Sequence, residues 1–248
     1  MLQSGEKAAL QFSGGKDSTA LLYLARPYLD RITVYFADTG AVFPHIREHV
    51  FATCKALGAD LEIVSPPMDI REYHTRIGLP SDIVPVEATI EMRQFMPREG
   101  GQLIQSYMRC CGAMLWAPMD KCIRDDGHTI VLRGAKSRDA RIGIPDGAIE
   151  NGIEYRSPLW DWSDADVYAY LAAEKVTLPA NYPEVPDSMD CHICTAHLAH
   201  HGEAKLRWMR TYTPDLWPEM RQRLNLLDHA LAGQRRRVGG AFGIAEEY

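Results

Sequence analysis

The residues most able to do chemistry fall into three groups, and the first is Ser13-Gly14-Gly15-Lys16-Asp17-Ser18. Glycines at 14 and 15 let the backbone approach phosphate oxygens and adopt positive φ, and a helix starting just after them presents amide N–H groups and a positive dipole end. Ser13 and Ser18 add hydroxyl donors, Lys16 neutralises charge, and Asp17 suits a magnesium ion that bridges phosphates. The loop is not a Walker A sequence, in which the lysine directly precedes Ser or Thr. The second group is four cysteines in two close pairs, Cys110-Cys111 and Cys191-His-Ile-Cys194, separated by 191 − 111 = 80 positions. Adjacent cysteines rarely suit a disulfide with each other, whereas four thiolates can hold an iron–sulfur cluster or zinc. The third is a basic run, Arg133, Lys136, Arg138 and Arg141, suited to phosphate or sulfate. Asp38, at the end of an apolar run, suits a ribose hydroxyl or a metal, or equally caps its own turn.

These groups need elements to hold them. Ala8 to Phe12 is a short apolar run, and Ser18 to Ala25 reads as a helix burying Leu21, Leu22 and Leu24. Ile32 to Ala37 is rich in β-formers, a helix follows from Pro44 to Leu57, and Asp60 to Val64 is another strand. A helix around Cys111 to Arg124 leads into a strand at Thr129 to Arg133. Alternation of this kind predicts an α/β fold: an open, mostly parallel twisted sheet with helices on both faces. The cradle and Asp38 then sit at the carboxyl ends of strands, where such sheets bind ligands. The segment 65–101, rich in Pro and Gly, reads as an irregular insertion. Trp160 to Leu171 reads as a helix capped by Ser163 with Asp166 three residues on, and 176–194 as loop. The expected organisation is a nucleotide-binding domain over 1–200 and a C-terminal helical extension with a polar tail over 201–248.

Ser-Gly-Gly-Lys-Asp-Ser is the signature of the PP-loop ATP pyrophosphatases, and residues 8 to 197 resemble one branch of that superfamily, the phosphoadenosine phosphosulfate (PAPS) reductase family. Asp38-Thr39-Gly40-Ala-Val-Phe43-Pro44 is similar to its Asp-Thr-Gly-x-x-Phe-Pro segment, and Gly134-Ala-Lys136-Ser-Arg138 to its Gly-x-Arg loop, with Lys136 where the family has Arg. Ser157-Pro158-Leu159 through Trp162 to Val167 resembles its Pro-Leu, Trp, Asp-Val stretch. The two cysteine pairs, with Thr195 following, are similar to those of its cluster-binding members. The resemblance implies an adenine nucleotide held by Ser13, Gly14, Gly15, Lys16, Asp17, Ser18, Asp38, Gly134 and Arg141. It further implies a [4Fe–4S] cluster, in preference to zinc, on Cys110, Cys111, Cys191 and Cys194.

Sulfonucleotide reductases of that family attack with a cysteine in a Glu-Cys-Gly motif, and no cysteine follows Cys194 in these 248 residues. Their cradle is usually degenerate, whereas Lys16 and Asp17 are both present here. The expected activity is therefore adenylation with ATP and Mg2+, with Lys16, Asp17, Lys136 and Arg138 as catalytic groups and sulfur transfer to follow. By analogy with cluster-bearing PP-loop enzymes of tRNA thiolation and with DNA phosphorothioation proteins, tRNA or DNA is the expected acceptor, and Arg221, Arg223 and Arg235 to Arg237 either help to hold it or equally form a solvated helix face and tail. A sulfur-donor or reductant protein and a second copy of the chain complete the expected partners. Two other readings stand beside it: a sulfonucleotide reductase borrowing a thiol from Cys54 or a partner, and a regulator without turnover. The balance of 27 Lys and Arg against 33 Asp and Glu, net −6, argues against nucleic-acid binding through global charge. No run approaches the ~18 apolar residues of a membrane span, and the start lacks the charge and apolar run of a signal peptide, which predicts a cytoplasmic protein. Cys54 and Cys122 read as core residues, and His192, His197, His200 and His201 as solvated helix histidines.

Overall fold

Six strands form the main sheet in the order β3-β2-β1-β6-β8-β7: β1 (Ala8–Gln11), β2 (Ile32–Ala37), β3 (Asp60–Val64), β6 (Ile130–Leu132), β7 (Ile149–Glu150) and β8 (Ile153–Arg156). The computed structural model describes residues 1–95, 101–139, 144–189, 191–199 and 201–242. All pairings in this sheet are parallel except β7 with β8, a short hairpin closing one edge. The open, mostly parallel α/β sheet expected from the sequence is thus the observed one. The chain steps outward from β1 through β2 to β3, then returns to place β6 on the other side of β1, in the register Ala9 to Val131 and Leu10 to Leu132. Such a reversal opens a crevice at the carboxyl ends of the two strands.

Two compact units result, each drawn from two stretches: 1–65 with 116–190, and 66–115 with 191–248. The segment read as an insertion and the C-terminal helices therefore lie in the same unit. In the first, β1 alternates its faces: Ala8 and Leu10 pack with Leu21 and Leu22 of α1 (Lys16–Leu24), Val50 of α2 (Pro44–Leu57), and Val167 and Leu171 of α7 (Asp164–Ala173). Ala9 faces Met119 and Ile123 of α6 (Ala117–Asp125). Each fully buried leucine stabilises this core by roughly 1.5–3 kcal/mol. The helix expected from Trp160 begins at Asp164 instead, because Ser163 and Asp166 form a complete capping box there.

The second unit is not irregular. It contains α3 (Ile70–Ile77), α4 (Ile90–Phe95), α5 (Tyr107–Cys111), α8 (Gly202–Tyr212), α9 (Trp217–Phe242), and a parallel pair, β4 (Leu79–Ser81) with β5 (Ile104–Ser106). Three-residue strands leave too short an alternation to be legible, and their partners lie 25 residues apart, as in Leu79 and Ile104. Leu79, Ile104 and Leu227 of α9 form its core.

In the first unit His49, on α2, shares a hydrogen bond of 3.3 Å with the Thr19 hydroxyl. Burial, then the nearby charge of His45, pushes its pKa down to about 4. Below pH ~6.5 the unfolded chain takes up a proton that the native ring refuses, so stability should fall as pH drops from ~6.5 to ~4, by about 2 kcal/mol after discounting for partial exposure. Chemical denaturation at pH 7 and pH 5 tests this. The pH slope should flatten in His49→Gln, and an unchanged slope would refute the assignment.

Candidate nucleotide and thiolate sites

The cradle forms where β1 ends and α1 begins. Gly14 takes φ +79°, and a Cβ there would lie 2.9 Å from Val50 Cγ2, so both the turn and its packing on α2 require glycine. Ser13 Oγ and Ser18 Oγ lie 3.1 Å apart, and Ser18 donates to the Gly15 carbonyl at 3.1 Å. The loop after β6 closes on the same point. A Cβ on Gly134 would sit 2.9 Å from both the Asp17 carbonyl carbon and the Ser18 nitrogen. Gly134→Ala must therefore push the first turn of α1 away, which should cost about 2–3 kcal/mol. Calorimetric titration with magnesium ATP should show at least tenfold weaker binding, and affinity unchanged within twofold would contradict this.

Charge gathers at that junction. Lys16 Nζ lies 2.8 Å from Asp17 Oδ2 and 3.1 Å from Asp164 Oδ1. Lys136 Nζ, whose side chain is 3% exposed, lies 2.6 Å from Asp17 Oδ1 and 3.6 Å from Asp164 Oδ1. Arg138 pairs with the same Asp164 oxygen. Three cations thus surround two carboxylates, one positive charge in excess, at the switch point of the sheet. Burial works against the ammonium of Lys16, but Asp17 and Asp164 more than offset it and raise its pKa. Burial likewise opposes ionisation of Asp164, and Lys16, Lys136 and Arg138 prevail, lowering its pKa. Lys16 and Asp164 are thereby both held in their charged forms, an arrangement suited to an anion site with an adjoining cation position.

Two members of this site were not legible. Asp164 is an ordinary first-turn acid by sequence, and only the placement of α7 turns it toward Lys16. Tyr182 lies in the stretch read as loop, yet its hydroxyl accepts the Lys16 backbone N–H at 2.7 Å; nothing in its neighbourhood marks it. Burial raises the Tyr182 pKa, so the phenol is neutral. Asp38 caps its own turn, accepting from the Gly40 N–H at 2.9 Å, and its other oxygen accepts from Arg47 Nε at 2.8 Å. Arg133, expected among the cradle cations, instead covers the Tyr155 ring and donates to the Ile144 carbonyl at 2.5 Å. Arg141 lies outside the described residues.

All four paired cysteines fall in the second unit. Ser106 ends β5 and caps α5, whose last turn carries Cys110 and Cys111. The other pair is tied to β4: the Thr195 hydroxyl donates to the Pro80 carbonyl at 2.6 Å, and Asp82 accepts from the His197 and Leu198 N–H groups at 2.8 and 2.9 Å. The parallel pairing of β4 with β5 therefore carries both cysteine pairs to the same ends of its strands. Burial, and then the charges of Cys111, Cys194 and Cys191, push the Cys110 thiol far up. Among the described residues no three His, Cys, Asp or Glu side chains close into ready metal geometry. The donor set still fits a cluster in kind, since a thiol that burial and three neighbouring sulfurs hold protonated is ionised by a multivalent cation among them. His192, expected in solvent, is 5% exposed, and burial lowers its pKa. His197 packs tilted against Tyr107 with ring centroids 4.3 Å apart, and His200 lies outside the described residues. Arg223, expected on a solvated face, is turned inward, 11% exposed, onto Glu219.

Residues 7–197 match the model of the phosphoadenosine phosphosulfate reductase domain. The chain belongs to this family. Among relatives of the PAPS reductase-family chain, an uncharacterised protein of Methanocaldococcus jannaschii is 23% identical over 75% of the chain and 41% of its own length. Sulfate adenylyltransferase subunit 2 of Streptomyces lavendulae is 28% identical over 71% of the chain and 56% of its own length. The chain thus spans about half the length of these relatives. The fold is shared with the U34-tRNA thiolase NcsA of Methanococcus maripaludis, solved with its [4Fe-4S] cluster, at TM-score 0.51 and 13% identity, covering 92% of this chain and 74% of that one. No helix among the described residues is long and apolar enough to cross a membrane.

Proposed function

We propose that the first unit binds magnesium ATP and adenylates an oxygen of an acceptor for sulfur transfer, and that Cys110, Cys111, Cys191 and Cys194 hold a [4Fe–4S] cluster. The observation that carries this reading is the group of Lys16, Lys136 and Arg138 around Asp17 and Asp164 at the switch point. The acceptor oxygen forms a bond to the α-phosphorus, the bond from that phosphorus to the β-bridging oxygen breaks, and pyrophosphate departs. A sulfur nucleophile then displaces AMP from the acceptor. Lys16, Lys136 and Arg138 stabilise the charge that builds on the departing phosphates, a preorganised electrostatic effect. Gly14, Gly15, Ser13 and Ser18 seat the phosphates, and Gly134 lets the second loop approach them. Asp17 would hold a magnesium ion bound with the nucleotide, which would supply further charge neutralisation. The relatives named sulfate adenylyltransferase subunit 2 support adenylyl chemistry on this framework.

The acceptor of this reading is a nucleic acid, tRNA or DNA. Arg221, Arg235 and Arg236 are exposed along α9 and suit its phosphates, while Arg223 is not available for that role. A sulfonucleotide reductase needs an attacking thiolate. Cys54 is 2% exposed and its thiol is pushed up to about 11 by burial, and burial also raises the Cys122 thiol, so neither suits the task.

The test is anaerobic purification, iron and sulfide analysis, and incubation with magnesium ATP while pyrophosphate and AMP are followed. Iron-loaded protein that releases pyrophosphate in the presence of an RNA or DNA acceptor is the expected result. Nucleotide binding without any product, under reducing conditions with acceptor present, would replace the enzyme with a regulator. Sulfite release from an activated sulfate without ATP would replace it with a reductase.

A further inference from the structure

Beside Cys110, in the second unit, a chain of polar side chains that the proposed reaction does not use runs from half-exposed Arg71 and Glu219 inward to buried His74. α3 carries Arg71 and His74, three residues apart on one face, and α9 carries Glu219 and Arg223, four apart. Arg71 grips Glu219 with both Nε and Nη2, each at 2.9 Å. Glu219 Oε1 also accepts from Arg223 Nε at 3.2 Å and Nη2 at 3.0 Å. Arg223 Nη1 lies 3.0 Å from His74 Nδ1, and His74 Nε2 lies 3.2 Å from Cys110 Sγ. His74 itself is 2% exposed.

The direction of each bond follows from the chemistry. A guanidinium has donors and no acceptor, so His74 Nδ1 must accept from Arg223. The ring is then neutral with its proton on Nε2, and that N–H points at the sulfur of Cys110. Two arginines, Arg71 and Arg223, and two carboxylates, Glu219 and Asp69, act on the imidazole, and Arg223 is the charge that touches it. We propose that His74 is the positioning residue for Cys110: held in the Nε2–H form by Arg223 and Glu219, it donates to the Cys110 thiolate and favours the more electron-rich state of the centre that this sulfur ligates. Such outer partners orient ligands and tune the groups they hold. The inference rests on the cluster reading given above.

The experiment is a redox titration of the anaerobically purified full chain and its variants, followed optically and by electron paramagnetic resonance. His74→Leu removes the donor and should disfavour the reduced state about tenfold, a midpoint about 59 mV more negative for one electron. His74→Gln can place an amide N–H near the same point and should stay within about threefold of the wild type. Arg223→Met, which frees the ring to change tautomer, should shift the midpoint in the same direction as His74→Leu. In the oxidised wild-type protein, 15N histidine resonances should show His74 protonated at Nε2, a readout that needs no variant to fold. An unmoved midpoint in iron-loaded His74→Leu, or an Nδ1–H tautomer, overturns this inference alone. Iron-free wild-type protein overturns the cluster reading and this inference with it.

Discussion

Lys136→Met should lower magnesium-ATP-dependent pyrophosphate release by about 10²–10³-fold, the magnitude seen when one preorganised partner of a developing charge is removed. The side chain is almost fully buried and bridges Asp17 and Asp164, so methionine keeps much of its volume while deleting the charge. What remains is two carboxylates shared between Lys16 and Arg138, with Asp17 Oδ1 deprived of its 2.6 Å partner. Removing one partner of a charged hydrogen bond to carboxylates that are partly exposed and keep Lys16 and Arg138 costs about 1–3 kcal/mol, so denaturation should show a clear loss of stability beside the loss of rate. Lys136→Arg restores the charge, and the family resemblance places an arginine at this position. That variant should recover most of the stability and at least a tenth of the activity. Retention of wild-type activity within threefold in Lys136→Met would remove the loop after β6 from the reaction and leave the cradle to act without it.

The second large effect concerns the cysteines. Wild-type protein purified without oxygen should carry about four irons per chain, and Cys110→Ser or Cys191→Ser should reduce that to under about a tenth, with loss of visible absorption. A serine oxygen at either position replaces a thiolate ligand with a harder and far more basic one. Cys54→Ser and Cys122→Ser are the controls, since Cys54 packs in the core of the first unit and Cys122 at the edge of its second cluster. Both should retain iron. Loss of iron in the controls as well would indicate general unfolding, and a colourless wild type with zinc would replace the cluster with a structural zinc site.

The Gly-rich turn after β1 and the main sheet were legible because their signals are local. A strand, a Gly-Gly turn with Lys and Asp, and a helix follow one another within 17 residues of chain, from Ala8 to Leu24. The strands β2 and β3 were delimited to the residue and α2 closely, since apolar patterning marks all three and the Asp38-Thr39-Gly40 turn separates β2 from α2. The small parallel sheet that carries the cysteine pairs was not legible, nor were the roles of His74, Glu219 and Arg223. Sequence separations of 149 between Arg223 and His74, and of 115 between Thr195 and Pro80, leave no periodic trace.

By itself the sequence determined the α/β class, the position of the Gly-rich turn between β1 and α1, and the pairing of four thiols in two close sets. These follow from short-range rules: side-chain period, turn chemistry, and the spacing of ligands along one turn. Only the tertiary structure decided which charges face the cradle, admitting Asp164 and Tyr182 and turning Arg133 away. It alone placed 66–115 with 191–248, and with that both cysteine pairs, in one unit. The physical reason is that burial and ion pairing depend on the sum of packing over distant segments. A lysine, a tyrosine or an arginine looks the same in sequence whether it faces solvent or a carboxylate.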